Sequence, residues 1–140
     1  MEVRIVSTEQ EREDAFDVRR IVFIGEQDVP EEEEIDEYED DAVHFVLYDG
    51  EKPAGAGRFR ILEGIGKVER ICVLKSNRKS GAGVAIMKKI EDYAKEQGVS
   101  VLKLNAQTHA IPFYSKLGYE TVSEEFLDAG IPHKTMKKSI

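Results

Sequence analysis

The sequence predicts a single α/β (α+β) domain, a mixed and mostly antiparallel sheet flanked by helices. Three observations carry this. Short β-compatible runs alternate with segments of helical periodicity. Three of those runs follow one another with only turn residues between them, as in an antiparallel meander. The one long crossover passes through a helix, which pairs the strands on either side of it in parallel. With 140 residues and 41% hydrophobic content, one domain over residues 1–140 can hold a core of its own.

Val3 to Val6 reads as the first strand. Ser7 or Thr8, with Gln10 or Glu11 three residues later, makes a capping box that opens a helix through about Phe23. Gln27 to Asp41 is acidic and fits either a loop or a polar helix. Ala42 to Tyr48 sets Val43, Phe45 and Leu47 against His44, Val46 and Tyr48, a strand closed by the turn signal Asp49-Gly50. Ala54 to Leu62 is its partner, and Gly64-Ile65-Gly66 turns the chain into a strand at residues 67–74. Val84, Met87, Ile90 and Ala94 recur at helical spacing over 84–97, and Gly98 supplies the C-terminal stop. Val99 to Leu104 is the next strand. Ile111 to Leu117 makes a short helix with Pro112 in its first turn and Gly118 after its end. Tyr119 to Phe126 and Lys134 to Lys138 then pair across the turn Ala129-Gly130-Ile131-Pro132. There are no internal repeats and no low-complexity linker.

Composition narrows the function classes. The net charge of −8 is localised: eleven of the 28 acids lie between Glu26 and Asp41, so elsewhere 20 Lys and Arg face 17 acids. From Lys67 to Lys89 seven bases stand against Glu69 alone. No basic stripe with interleaved aromatics offers itself to nucleic acid. No apolar run reaches the length of a membrane span, and no signal-peptide pattern opens the chain, so a cytoplasmic location is expected. Cys72 is the single cysteine, which leaves no internal disulfide and reads as a small buried strand residue. His44, His109 and His133 are scattered and form no metal-ligand spacing, so no metal is expected. The acidic run Glu31 to Glu34 reads as a solvated surface, or as an entrance for a cationic amine.

The chemistry concentrates in Arg78-Lys79-Ser80-Gly81-Ala82-Gly83, between a strand and a helix. A glycine-bearing loop that opens a helix points bare N–H groups outward, and the positive end of the helix dipole favours a phosphate there. Gly81 and Gly83 have no Cβ to obstruct a close approach.

This loop resembles the acyl-CoA signature of the GNAT N-acetyltransferases, Gln/Arg-x-x-Gly-x-Gly/Ala. Downstream, Gln107-x-x-Ala110-x-x-Phe113-Tyr114-x-x-x-Gly118-Tyr119 is similar to the family pattern Asn-x-x-Ala-x-x-Phe/Leu-Tyr-x-x-x-Gly-Phe. Gln107 stands where the family commonly has Asn, and Tyr119 where it has Phe. The two signatures come in the family's order, and the resemblance spans essentially the whole chain. Arg19-x-x-Val22-Phe23-x-x-Glu26-Gln27, then Asp36, Asp41 and His44, and near the end Phe126 and Gly130-Ile131-Pro132-His133, are similar to the ElaA/YjcF-like branch.

The resemblance implies an N-acetyltransferase that uses acetyl-CoA as co-substrate, with a small-molecule or protein amine as acceptor. The pyrophosphate is then expected on the amides of Lys79, Ser80, Gly81, Ala82, Gly83 and Val84, beside Arg78. The pantetheine arm is expected along Ile71, Cys72 and Val73, with Gln107 and Phe113 nearby. The amide of Cys72 or Val73 is the expected oxyanion donor, and Tyr114 the acid that protonates the leaving thiolate. For the base, Glu69 competes with Glu26, His133 and a water chain; strand alternation puts Glu69 on the face opposite Val68, Arg70 and Cys72 unless a bulge reverses the parity. Two rival readings are an acyl-homoserine-lactone-synthase-like acyltransferase, since Arg19-x-x-Val22-Phe23 and Glu34-x-Asp36-x-Tyr38 resemble that family's N-terminal signature, and a non-catalytic acyl-CoA-binding domain. Monomer and homodimer are both compatible with the sequence.

Overall fold

The computed structural model describes residues 1–140 as an eight-stranded sheet with helices on both faces. The chain runs β1 (Glu2–Ile5), α1 (Glu9–Arg19), α2 (Glu31–Glu34), β2 (Val43–Asp49), β3 (Lys52–Leu62), β4 (Ile65–Val73), α3 (Ala82–Glu96), β5 (Val101–Gln107), α4 (Ile111–Lys116), β6 (Glu120–Thr121), β7 (Phe126–Asp128) and β8 (Ile131–Ser139). The sheet order is β1-β2-β3-β4-β5-β8-β6, with β7 also paired to β8. Every pairing is antiparallel except β4 with β5, which are parallel across the α3 crossover, as the element order requires.

Thr8 caps α1 reciprocally: its Oγ1 accepts the Glu11 amide at 3.1 Å, and Glu11 Oε1 accepts the Thr8 amide at 3.2 Å. The helix expected through Phe23 stops being α-helical at Arg19 and continues from Arg20 to Glu26 with π winding. Such wider turns recur at functional sites, and here they carry Val22, Phe23, Glu26 and Gln27 to the edge of a cleft.

The core lies on both faces of the sheet. Ile86, Met87, Ile90 and Ala94 of α3 pack with Phe45, Leu47, Phe59, Val68, Leu102 and Leu104 on one face. Ala15, Val18 and Val22 pack with Val46, Tyr48, Ala56 and Cys72 on the other. Residues Phe45 to Tyr48 of β2 are therefore buried on both sides, and their alternation marks two cores. Each fully buried side chain of the Ile or Met size contributes roughly 1.5–3 kcal/mol by leaving water.

The expected solvated run Glu31 to Glu34 holds for three of its four residues. Glu31, Glu32 and Glu33 are exposed, but Glu34 and Glu39 are buried and bind buried arginines. Arg19 holds Glu39 with two bonds of 2.9 and 2.7 Å and Glu34 with one of 2.9 Å. Arg58 holds Asp36 at 2.8 and 3.1 Å, and its guanidinium also reaches Glu39 and Glu69 at 3.1 Å. Arg60 and Arg70 extend the network to Glu69 and Asp36. Four arginines thus meet four carboxylates, and the segment sequence composition marks as polar is fastened to the sheet.

Burial would raise the Glu39 pKa, but the Arg19 hydrogen bond and charge outweigh it, and it is lowered from 4.5 to about 2. A carboxylate depressed in the folded state stabilises fully above its unfolded pKa and loses that contribution as pH falls through the folded value. Wild type should therefore lose stability progressively between about pH 4.5 and pH 2 in urea unfolding. Glu39→Gln leaves Arg19 short of its partner and should cost about 3–5 kcal/mol at pH 7, with a shallower acid slope. An unchanged slope in the variant would show that Glu39 does not govern the acid transition.

Candidate active site

The site originates in how β4 leaves β5. Their parallel ladder holds only three pairs, Gly66–Leu102, Lys67–Lys103 and Val68–Leu104, and the strands then part. In the same stretch β4 bulges: Arg70 and Ile71 together oppose Gly57 of β3, and Arg70 adopts a left-handed φ of 59°. The bulge reverses the side-chain parity. Val68 enters the α3 core, whereas Cys72, which simple alternation puts beside it, enters the α1 core. Glu69 pairs across the sheet with Arg58, and Cys72 with Ala56, so Glu69 and Cys72 share one face.

The parted strands enclose a cleft of about 810 Å³. Val68 to Val73 of β4 form one wall and Leu104 to Gln107 of β5 the other. Val22, Phe23, Glu26 and Gln27, then Glu32 to Glu34 and Asp36, and Asp128, Ile131 and His133 add to its lining. Gln107 and Gln27 join across it through reciprocal amide bonds of 2.8 and 3.2 Å. Gln27 enters the sequence reading only as the last residue of the pattern from Arg19 to Gln27, with no role of its own; its partnership with Gln107 depends on the π winding.

Arg78, Ile71, Cys72, Val73, Gln107, Tyr114 and Glu69 all line this cleft, whereas Lys79 to Val84, at the start of α3, and Phe113, in α4, lie outside its lining. Within that loop, no hydrogen bond of the chain uses the amides of Lys79, Ser80, Gly81, Ala82, Gly83 or Val84. The two glycines have different jobs. Gly81 sits at φ 86° with open space around it, so its reason is conformational. A Cβ on Gly83 would lie 3.0 Å from the Phe113 ring, so that glycine admits the aromatic of the second signature. Arg78 donates to the Val73 carbonyl at 3.0 Å and to both Glu26 oxygens at 2.9 and 2.8 Å, which spans the cleft mouth.

Tyr114 is buried against Phe113 and Tyr119, yet its hydroxyl has no hydrogen-bond partner in the chain. Burial first, and then proximity to Cys72, raise its pKa, so the phenol stays protonated. Burial also pushes the Cys72 thiol up to about 12, which removes it as a nucleophile. Glu69 is occupied: Arg60 binds it at 2.7 and 3.0 Å and Arg58 at 3.1 Å. Although burial opposes it, these bonds and charges lower its pKa, the opposite of what a proton acceptor for an amine needs. Glu26 is similarly bound to Arg78. The carboxylates of Glu32, Glu33 and Asp128 are exposed and form no ion pair. No helix is long and apolar enough to cross a membrane.

Comparison with known proteins agrees with this geometry. An acetyltransferase (GNAT) domain model matches residues 9–140. YjcF of Bacillus subtilis strain 168, described as an uncharacterised N-acetyltransferase, is 58% identical over 139 residues, covering 99% of both chains. Two solved structures share the fold: Escherichia coli ElaA (TM-score 0.85, 21% identity, 98% of each chain) and an aminoglycoside 6'-N-acetyltransferase complexed with coenzyme A (TM-score 0.80, 16% identity, 99% of this chain and 97% of that one).

Because Gly81 is left-handed, Gly81→Ala should destabilise the fold by about 1–2 kcal/mol, read as a lower unfolding midpoint in urea at unchanged slope. A variant as stable as wild type would mean that the loop relaxes out of this conformation without cost.

Proposed function

We propose that this chain, which belongs to the GNAT acetyltransferase family, moves an acetyl group from acetyl-CoA to a primary amine by direct attack of the amine on the thioester. Family membership makes it an acyl-CoA N-acyltransferase.

One observation carries the reading: six unpartnered amides at a helix start stand beside a cleft opened by two parting strands, with an unpartnered phenol buried in it. The amides of Lys79 to Val84 suit the pyrophosphate, helped by the α3 dipole. The edge of β4 suits an extended amide-bearing arm. The Leu74 amide bonds the Ala54 carbonyl on the β3 side. Alternation then turns the Cys72 amide toward β3 and the Val73 amide into the cleft, so Val73 is the oxyanion donor. Tyr114 Oη protonates the leaving sulfur. The free carboxylates of Glu32, Glu33 and Asp128 favour a positively charged amine on the acceptor side.

The decisive experiment follows thiol release from acetyl-CoA against a panel of primary amines, alongside thermal unfolding with and without acetyl-CoA. Saturable stabilisation with amine-dependent release is the expected result. Stabilisation without release for any amine would mark a binding domain, and no stabilisation would remove the acetyl-CoA reading. Tyr114→Phe should lower kcat by about 10²–10⁴-fold while leaving the acetyl-CoA-induced stabilisation within twofold in affinity. Full turnover in that variant would take the acid role from Tyr114.

A further inference from the structure

His133 is 8% exposed and lines the cleft at the start of β8. It pairs with Gln107 of β5 on one side and Phe126 of β7 on the other, and the Phe126 ring stacks on it at 6.0 Å with 21° between planes. Residues opposite each other in a ladder point to the same face. His133 therefore lies on the Gln107 face of the sheet, and both residues line the cleft across from Glu69 and Cys72.

Its Nδ1 lies 2.6 Å from the Ile131 carbonyl oxygen. A carbonyl can only accept, so Nδ1 must carry the hydrogen. In the neutral ring Nε2 then carries the lone pair. That nitrogen has no hydrogen-bond partner in the chain and is not sealed from solvent. A buried imidazole whose tautomer is fixed by the backbone, with its basic atom bare, is a group prepared to take a proton.

The other groups lining the cleft are less suited. Glu26 is bound by Arg78, and Glu69 by Arg58 and Arg60. Glu34 and Asp36 belong to the arginine network. His109 Nε2 is engaged by Gln107 Oε1 at 2.7 Å. Glu32, Glu33 and Asp128 are exposed, and no partner in the chain fixes the position of their carboxylates.

We infer that His133 is the general base of the reaction, its Nε2 taking the proton from the acceptor ammonium. The inference rests on the acetyltransferase reading above. Nε2 removes one proton from R–NH3⁺, and the freed lone pair forms the C–N bond to the thioester carbon. The tetrahedral intermediate collapses, the C–S bond breaks, and Tyr114 Oη delivers its proton to the thiolate. The second proton of the amine returns to the Tyr114 phenolate, and His133 releases its own to water. One proton is lost to solvent per amide formed. The titratable groups that line the cleft with His133 are Glu26, Glu32, Glu33, Glu34, Asp36, Lys67, Glu69, Arg70, Cys72, Arg78, His109, Tyr114 and Asp128.

His133→Asn keeps a side-chain amide able to donate toward the Ile131 carbonyl but has no basic nitrogen. With the best amine found for wild type, kcat should fall about 10²–10⁴-fold, while acetyl-CoA still raises the unfolding temperature as in wild type. The acidic limb of the kcat/KM profile should move from the ionisation of the imidazole to that of the amine itself, with the residual rate rising with pH as free amine accumulates, and added imidazole should restore part of the rate. A wild-type pH profile in the variant would overturn the assignment and leave the acetyltransferase reading intact. Acetyl-CoA binding with no amine turned over by wild type would overturn both. Should His133→Asn not fold, ¹⁵N-histidine NMR of wild type decides independently: a bare Nε2 is expected, and a protonated Nε2 with bare Nδ1 would sink the proposal.

Discussion

The candidate active site depends on one departure from regular sheet. β4 and β5 are paired for three residues and then separate, because β4 gains an extra residue against β3 at Arg70 and Ile71. A regular β4 would continue its ladder with β5, bury its polar edge and leave no cleft. The bulge also decides which side chains look into that cleft. One residue of shift exchanges the two faces of a strand, and here it moves Cys72 from the α3 core to the α1 core. The left-handed Arg70 costs local strain. Its guanidinium offsets part of this by bonding the Glu33 and Glu34 carbonyls and the Asp36 carboxylate.

The arginine network is the second half of the same device. Arg19 and Arg58 are almost wholly buried, a position that strongly penalises unpaired charge. Their pairing with Glu34, Asp36, Glu39 and Glu69 clamps the α2 segment over the end of β4. Such a cluster is weak evidence for added stability, since an apolar replacement can be as stable. It fixes position instead: the α2 segment cannot slide without stranding a charge. It also reconciles an overall charge of −8 with an anionic co-substrate, because much of the acidic segment is neutralised internally and the helix start carries none of it.

How much of this was legible in the sequence follows from the range of the interactions. The Thr8–Glu11 capping box, the strand alternations and the loop before α3 depend on neighbours a few residues away, and they fold as local rules require. The parity switch was not legible as a fact, because the left-handed position is Arg70 and no glycine advertises it. Nor was the fate of the acidic segment: Glu34 and Glu39 look like Glu31 and Glu32 until Arg19 and Arg58 arrive from elsewhere in the chain. Gly83 was legible as necessary and misread in cause, since its neighbour is the Phe113 ring thirty residues on. The π winding after Arg19 has no sequence signal that we can name, yet it brings Gln27 to Gln107.

The roles proposed for Tyr114 and His133 rest on the same geometry. A donor to sulfur must remain protonated, and the low-dielectric core under β4 raises the Tyr114 pKa without a hydrogen-bond partner to compete for its proton. An acceptor of an amine proton needs a site free of the arginines that occupy Glu69. His133 meets that condition because β8 lies beyond β5, on the far side of the cleft from the arginine network. The parting of β4 from β5 therefore separates two electrostatic environments. Guanidinium-held carboxylates lie on the β4 side, and an imidazole held only by a backbone carbonyl lies on the β8 side. The proposed acid and base are equally buried and differ in their partners, and the fold supplies that difference by interrupting a single ladder.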